Sequence, residues 1–281
     1  MKNDIVARKD IVAKALKYII LIIFAVTCVY PVIWLIINSL KTNDSLVLEP
    51  WSIPKVIQWE NYKDAWVDGH IGKYFMNSVV VCSISMVFAL ILSTMAAFAI
   101  TRLKWKLSGF VLGVFLSGVM IPIHSTLIPL FIMFTKLHIS NTYLSLILPY
   151  VTFALPMAIF ILTGFMRDFP TEIEESAVMD GASMITIFLK MMIPIIKPAI
   201  ATVTIYTFIS MWNELIYAIV FLNKESMMTL PVGLTNFKGE YTTNWVAMIA
   251  AVVIGIVPTI TVYIFLNGKI IQGMTAGAVK G

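Results

Sequence analysis

Apolar segments long enough to cross a lipid bilayer constrain this chain more than any other feature of its sequence. A membrane-spanning helix needs about twenty consecutive apolar residues. Six segments reach that length, at about residues 18–40, 74–101, 107–134, 143–165, 198–222 and 245–266. Hydrophobic residues make up 59% of the chain and charged residues only 12%, which is too little charge for a soluble domain of this length. The sequence therefore predicts an all-α, polytopic membrane protein with six transmembrane helices.

The basic residues predict how these helices are oriented. Lys and Arg accumulate in the cytoplasmic loops of membrane proteins. Thirteen of the 20 basic residues fall on the side that holds both termini, which leaves 7 on the other side. We therefore predict a cytosolic N-terminal segment at 1–17, a transmembrane domain at 18–266 and a cytosolic tail at 267–281. The net charge of +5 follows from this orientation, and no nucleic-acid partner is expected.

The longest connection predicted to lie outside, residues 41–73, holds several aromatic residues among charged ones, namely Trp51, Trp59, Tyr62 and Trp66. This pattern is compatible with a surface that meets an external protein. It is equally typical of an aromatic belt at the membrane interface or of packing on a partner subunit. The sequence leaves these interpretations open.

The connection at 168–197 has the pattern of a helix, a turn and a second helix. Thr171 and Glu174 have the spacing of a capping box, in which each side chain accepts a hydrogen bond from a free backbone N–H. Asp180-Gly181 is expected to end the first helix, because Gly tolerates the positive φ of a helix C-terminus.

The second helix of this connection is expected at 184–192, with Ser183 as its N-cap and Pro194 after its end. A loop this acidic cannot enter lipid with its carboxylates charged. It is either a docking element for another protein or an ordinary solvated loop, and its local pattern does not decide between them.

Glu214 is the one acidic residue that the sequence places deep inside an apolar segment. A carboxylate in hydrocarbon costs several kcal/mol unless it is paired or faces water. A predicted solute path at Trp212, Asn213, Glu214 and Tyr217 would explain it, because a carboxylate and an amide can bind hydroxyl groups while an aromatic ring stacks on a sugar. Interhelical hydrogen bonding to a partner subunit, or a placement of Glu214 nearer the outer interface, explains it equally well.

Several function classes lack their motifs. The sequence has no Gly-x-x-x-x-Gly-Lys-Ser/Thr loop, so the chain is not expected to hydrolyse ATP itself. The three histidines, His70, His124 and His138, do not have the spacing of metal ligands. No catalytic site, metal site or enzymatic activity is therefore predicted.

The 168–197 loop resembles the "EAA" signature of the membrane subunits of ABC importers. That signature runs E-A-A, three residues, G, nine residues, then I-x-L-P. Glu175, Ala177, Gly181 and Pro194 stand at its spacing, and the conservative departures are Ser176, Met191 and Ile193. The resemblance implies the type I ABC importer permease fold, with multiple passes through a bacterial inner or plasma membrane.

In that family the loop is a coupling helix that sits in a groove of a cytosolic ATPase. The resemblance thus predicts an ATPase-docking site at Glu174, Glu175, Ser176, Ala177, Asp180, Gly181 and Ala182. It also implies a second homologous permease, two ATPase subunits and an extracellular or periplasmic solute-binding protein as partners. No cofactor is expected in this chain, since ATP and Mg²⁺ would be bound by the ATPase subunits.

Other stretches are similar to the carbohydrate-type branch, which includes the maltose and multiple-sugar permeases. They are Met211-Trp212-Asn213-Glu214, Thr229-Leu230-Pro231-Val232-Gly233-Leu234 and the last nine residues from Gly273. We therefore expect translocation of a sugar or related polyol. The alternatives are the same importer class for a peptide, amino acid or phosphate ester, and an ion-coupled secondary carrier that uses Glu214.

Overall fold

A computed structural model describes residues 2–103, 105–235, 237 and 244–278. In this part of the chain all regular structure is helical, which confirms the predicted all-α class. The helices in the first half are α1 (Lys2–Asn38), α2 (Asn43–Leu48), α3 (Glu60–Trp66), α4 (Ile71–Arg102), α5 (Ser108–Ser117), α6 (Leu127–Lys136) and α7 (Leu144–Arg167). Those in the second half are α8 (Glu172–Met179), α9 (Met184–Thr186), α10 (Ile193–Ile195), α11 (Lys197–Trp212), α12 (Ile216–Phe221), α13 (Leu230–Thr235) and α14 (Trp245–Ala278).

Four helices are long and apolar enough to cross a membrane alone, at Lys14–Asn38, Ile71–Arg102, Leu144–Arg167 and Trp245–Gly268. Two further segments are pairs of helices bent at a short break, Ser108–Met120 with Ile123–Lys136 and Met184–Ile195 with Lys197–Trp212. The described residues thus hold four candidate spans, or six if each bent pair counts as one. The second bent pair begins within the 168–197 connection and so does not coincide with the predicted fifth span.

The third predicted span is not a single helix, because its two halves meet at an angle of 91°. Pro122 has no N–H to donate, and its ring disfavours the helical conformation of the preceding residue. Ile121 is accordingly extended, with φ −79° and ψ 116°.

The fifth predicted span, 198–222, also differs from expectation. Helix α11 ends at Trp212, and the short helix α12 follows after a break at Asn213–Leu215. On the other side, α9, a π-helical turn at Ile187–Met192 and α10 form one segment that is bent by 73° from α11. The apolar run is therefore not one straight helix, although its composition alone suggested one.

The two predicted terminal segments are not separated from the neighbouring spans by breaks. Helix α1 already begins at Lys2, and α14 continues past 266 to Ala278. Residue 1 of the predicted 1–17 segment and residues 279–281 of the predicted tail lie outside the described residues.

One compact unit comprises residues 1–71 and 236–254. In it the connection at 41–73, which the sequence predicts to be external, packs next to the end of α1. The Lys41 ammonium is buried and donates to the backbone oxygen of Glu49 at 2.7 Å. The Asn61 amide donates to the backbone oxygens of Ser39 (2.8 Å) and Lys41 (2.7 Å). These bonds satisfy buried polar groups and give residues 39–61 a fixed structure.

Some of the aromatic residues of the 41–73 connection pack within this unit. The Trp51 ring lies 6.3 Å from that of Tyr30 and 5.9 Å from that of Trp34. Trp51 is nevertheless 72% exposed and Trp59 67% exposed. Trp51 thus packs partly on α1 of its own chain, and the interpretations of these aromatic residues stay predictions.

The second unit comprises residues 72–235 and 255–281. Its inner core is formed where α4, α7, the π-helical turn and α11 meet, from the buried residues Ala97, Phe98, Ala158, Leu162, Met166, Ile187, Met192, Ile196, Ala199 and Val203. This core holds the base of the 168–197 hairpin.

At the opposite end of the same unit, α4 binds the segment that precedes α13. The Asn77 amide donates to the backbone oxygens of Ser226 (3.1 Å) and Met228 (2.8 Å). Gly233 packs so closely on Tyr74 that a Cβ there would overlap the ring.

Candidate functional site

The 168–197 connection forms the predicted hairpin, and its turn depends on Gly181. Helix α8 ends at Met179, and Gly181 adopts φ +84°. The Gly181 N–H donates to the Val178 oxygen (3.0 Å) and the Ala182 N–H to the Ala177 oxygen (2.9 Å). These two bonds form a Schellman motif, which satisfies the last carbonyls of α8. The predicted break at Asp180-Gly181 is confirmed.

The predicted capping box at the start of α8 is wrong. Thr171 has helical φ and ψ angles and makes no side-chain cap bond. The Glu174 carboxylate instead lies 2.8 Å from Nε of Arg102, the last residue of α4. The Glu174 side chain therefore pairs with an opposite charge from a distant part of the chain and does not cap α8 as its local spacing predicted.

Ser183 caps the second helix as predicted, since its hydroxyl accepts from the Thr186 N–H at 3.2 Å. Pro194 does not end this helix, because the segment continues to Ile195. Here Pro194 occupies the first turn of α10, where a missing N–H costs little. Pro198 similarly lies in the first turn of α11.

The hairpin has an inner and an outer side. Ala177 and Ala182 are half-buried against the inner core, so these two predicted docking residues face their own chain. Glu175, Ser176 and Asp180 are exposed. The Ser176 hydroxyl donates to the Glu172 backbone oxygen at 2.8 Å.

Sequence reasoning missed an apolar component of the outer side. Its exposed members are Ile173 (46%), Val178 (47%), Met179 (87%), Met184 (53%), Ile185 (70%) and Leu189 (57%). Exposed apolar side chains interleaved with carboxylates are typical of a protein-binding surface. We call this outer side, made of the exposed residues of 173–189, the docking face. The sequence feature that could have predicted this surface is the presence of apolar residues within an otherwise charged connection.

The sequence also did not reveal the role of Arg102. A groove of about 750 Å³ opens beside α8 and is lined by Arg102, Leu103, Glu174 and Glu175 among others. Burial raises the pKa of the Glu174 carboxyl and nearby Glu175 raises it further, while the Arg102 guanidinium lowers it. The pKa of this carboxyl group is thus raised overall, because desolvation outweighs the attraction of Arg102.

Glu214 lies in the break between α11 and α12, not within a continuous helix. Its Oε1 accepts from the Tyr217 N–H at 2.8 Å, and its Oε2 from the Ala218 N–H at 3.2 Å. The Tyr150 hydroxyl donates to Oε2 at 2.8 Å. A carboxylate at the N-terminus of α12 satisfies free backbone donors and complements the helix dipole.

Glu214 borders a cavity of about 90 Å³ that is lined mainly by apolar side chains, with Tyr206, Ser210 and Tyr217 as polar neighbours. The Tyr217 hydroxyl donates to the backbone oxygen of Ile123 at 2.7 Å and lies 2.6 Å from the Thr126 hydroxyl. The cavity is small beside the roughly 300 Å³ or more of a typical small-molecule site.

The other two predicted path residues do not reach this cavity. Trp212 is 3% exposed, its ring stacks on Phe208 at 5.4 Å, and its indole N–H donates to the Gly255 oxygen at 3.0 Å. Asn213 is exposed, and its amide donates to the Ile209 oxygen at 2.9 Å. The structure therefore brings Glu214 and Tyr217 together and directs Trp212 and Asn213 elsewhere.

Comparison with known proteins is consistent with this geometry. Residues 89–274 match the model of the family described as "Binding-protein-dependent transport system inner membrane component". The chain is 38% identical over 265 residues to a putative ABC transporter permease protein of Caldicellulosiruptor sp. (strain Rt8B.4), with 94% of this chain and 96% of the relative covered. It is 30% identical over 271 residues to the melibiose/raffinose/stachyose import permease protein MelC of Bacillus subtilis, with 95% and 98% covered.

The fold is similar to that of a chain in the crystal structure of a bacterial ABC transporter involved in the import of the acidic polysaccharide alginate. The TM-score is 0.78 at 22% sequence identity, and the alignment covers 93% of this chain and 97% of the other. The family match spans well over half of the sequence and includes the hairpin and Glu214. The chain therefore belongs to the family of inner-membrane components of binding-protein-dependent transport systems.

Proposed function

We propose that this chain is the permease subunit of an ATP-driven ABC importer for a sugar or related polyol, which an extracellular or periplasmic solute-binding protein delivers. The observation that carries the proposal is the docking face. An acidic and apolar surface is held on a short hairpin, fixed at its base by the inner core and at its turn by Gly181. Such a surface suits binding to another protein more than exposure to water.

The partner at the docking face is an ATPase subunit. Glu175 is exposed and acidic, so it can form a charge-assisted hydrogen bond with an Arg or Lys of that subunit. Exposed Met179 and Ile185 can fill apolar depressions beside it. ATP and Mg²⁺ would bind to the two ATPase subunits, because this sequence has no phosphate-binding loop.

The solute path is shared with a second, homologous permease. The cavity next to Glu214 is too small to enclose a sugar, so this chain can contribute only one wall of a path. Glu214 and Tyr217 lie on that wall, with Ser210 beside them. The exposed apolar surfaces of α5 and α6, such as Phe110 (70%) and Ile128 (71%), leave room for packing against lipid or another subunit.

The solute class rests on the relatives. One relative carries the names of melibiose, raffinose and stachyose, and the fold neighbour takes part in import of a polysaccharide. A path lined by aromatic side chains and a few hydroxyl groups suits a sugar, which presents both apolar ring faces and hydroxyls. Both termini and the hairpin would lie in the cytosol of a bacterial cell, as the distribution of basic residues indicates.

The transport step would be a shift between two packings of the membrane helices. When the ATPase subunits close on ATP, each would move the hairpin bound to it. The inner core joins the hairpin to α4, α7 and α11, so its displacement would reach three spans at once. A ligand shifts such an equilibrium only by its difference in affinity for the two states. The ATP-bound ATPase must therefore bind the hairpin more tightly in one packing of the helices than in the other.

The experiment is reconstitution of the complex with its ATPase subunits, permease partner and binding protein in liposomes. Uptake of radiolabelled melibiose, raffinose and stachyose is measured with and without ATP. Uptake should require ATP, and Glu175→Lys and Gly181→Pro should abolish it while membrane insertion stays normal. Uptake by this chain alone, independent of any ATPase, would identify an ion-coupled carrier and refute the proposal. ATP-driven uptake of a peptide, amino acid or phosphate ester in place of a sugar would correct the solute class.

A further inference from the structure

Arg102 joins the ends of two long helices at the inner core. It is the last residue of α4, and its side chain is only 5% exposed. Nη2 donates to the backbone oxygens of Met166 (2.6 Å) and Phe169 (3.1 Å) at the C-terminal end of α7. The last carbonyls of a helix lack intrahelical partners and carry the negative end of its dipole. A buried guanidinium can donate hydrogen bonds to these carbonyls and place a positive charge at the negative end of the dipole.

The Arg102 guanidinium also forms an ion pair with the hairpin at 168–197. Its Nε lies 2.8 Å from Oε1 of Glu174, whose side chain is 17% exposed. No residue of α8 is fully buried, and the half-buried residues Glu174 and Ala177 face inward. The contact with Arg102 is therefore a main attachment of α8 to the membrane helices.

This pair is poorly suited to a purely stabilising role. Removing two charges from water offsets most of what their attraction returns. Nη2 makes directed hydrogen bonds to two carbonyl oxygens, whereas Nε lies beside the Glu174 carboxylate as an ion pair without hydrogen-bond geometry. One planar guanidinium therefore sets the position of three elements relative to one another. Lys could supply the charge but not these directions.

We propose that Arg102 is a positioning residue that makes α8 and the inner ends of α4 and α7 move as one body. Through it, a displacement of the docking face reaches the membrane helices and is not absorbed by bending of the hairpin. The inference rests on the proposed docking of an ATPase at α8. It adds that the attachment depends on one buried ion pair within this chain.

The test measures whether α8 follows α4 when nucleotide binds. Spin labels are attached at Thr171→Cys, which is the N-cap of α8 and lies outside the docking face, and at the exposed Met95→Cys on α4. The native Cys28 and Cys82 are first replaced by Ala. Pulsed EPR distances are recorded in the assembled transporter, without nucleotide and after trapping with ATP and vanadate. In the wild type, the distance should stay the same to within about 2 Å, because the two helices form one rigid unit.

The variants separate charge from geometry. Glu174→Gln removes the ion pair and keeps the shape of the side chain, and Arg102→Lys keeps the charge and loses the fork. Both should widen the distance distribution about twofold and make its mean depend on nucleotide, since the hairpin then moves without α4. Glu172→Gln is the matched control, because it removes an exposed carboxylate from the same helical turn and should behave as the wild type. Should Arg102→Lys fail to fold, Glu174→Gln alone decides the matter.

Two results would overturn the inference. One is a wild-type distance distribution in Glu174→Gln, and the other is an equal effect of Glu172→Gln. Failure of the underlying function has a different signature. The wild-type complex would then not retain an ATPase through the docking face, although the nucleotide-free broadening in Glu174→Gln could still be measured on the purified chain.

Discussion

Replacing Glu214 tests whether this membrane carboxylate is a helix cap or a titrating group. Three donors converge on it, namely the Tyr217 and Ala218 N–H groups and the Tyr150 hydroxyl. Glu214→Ala leaves all three without their acceptor. Glu214→Gln keeps one acceptor oxygen and turns the other into an NH₂ group that cannot accept. Tyr150→Phe removes one donor and leaves the cap intact.

The expected magnitudes follow from these contacts. Loss of an N-cap costs about 1 kcal/mol, and an unsatisfied buried hydroxyl costs about 1 to 3 kcal/mol more. Glu214→Ala should therefore destabilise the protein by about 2 to 4 kcal/mol, and Glu214→Gln and Tyr150→Phe by about 1 kcal/mol each. For a chain of this size 1 kcal/mol corresponds to about 2 to 4 °C in Tm.

Thermal unfolding of the detergent-purified chain measures these differences, and uptake in liposomes measures function. The two effects of Glu214→Ala and Tyr150→Phe should be less than additive, because both remove the same contact. Glu214→Gln should retain uptake to within about threefold, since roughly 0.6 kcal/mol of coupling loss is a factor of about 3. Equal destabilisation by Ala and Gln would refute the capping role. Complete loss of uptake in a stably folded Glu214→Gln protein would instead indicate a carboxylate that must titrate.

Three further substitutions test other parts of the structure. Gly181→Ala should lower stability by about 1 kcal/mol and reduce uptake, because a residue with a Cβ is strained at φ +84° although no atom lies within 4 Å of that Cβ. Gly164→Ala in α7 is the control, since its Cβ also has open space, and it should not destabilise the protein in thermal unfolding. Equal effects of the two substitutions would refute the role of Gly181 in the turn. Gly233→Ala should lower stability by about 1 to 3 kcal/mol, because the added Cβ overlaps the Tyr74 ring. Gly113→Ala, whose Cβ meets no atom, should leave stability nearly unchanged. No loss of stability in Gly233→Ala would show that the Tyr74 ring can move. Trp212→Phe should lower stability by about 1 kcal/mol, because it removes the hydrogen bond from the indole N–H to the Gly255 oxygen, and it should leave KM for uptake unchanged. A rise in KM at unchanged stability would instead indicate that Trp212 contacts the solute.

The parts of the hairpin that depend on local chemistry were predictable from the sequence. A glycine at the turn and a serine before the second helix act on backbone groups within a few residues, so Gly181 and Ser183 have their predicted roles. Glu174 does not have its predicted role, because its carboxylate pairs with Arg102, which is far away in the sequence, and does not cap α8. A prediction from spacing alone cannot weigh a contact that only the tertiary fold creates.

Prolines show the same limit. Pro149 and Pro156 remain inside the helix α7, whereas Pro122 separates two helices that meet at 91°. All three prolines lack an N–H, so this property alone does not predict which of them ends a helix. Apolar composition therefore predicted an all-helical membrane protein with four to six candidate spans. It did not predict which segments are bent, or that the carboxylate of Glu214 caps a helix within one of them.

Site-directed cross-linking of the docking face to an ATPase tests the central claim most directly. Ser176→Cys lies on the exposed side of α8, and Val47→Cys, which is 72% exposed in the predicted external segment, is the control. In membranes that contain the complete transporter, a bifunctional thiol reagent should join Ser176→Cys, and not Val47→Cys, to a nucleotide-hydrolysing subunit. The account is contradicted if Ser176→Cys reacts only with reagents applied from outside the cell, or if no such subunit is captured from a complex that still hydrolyses ATP.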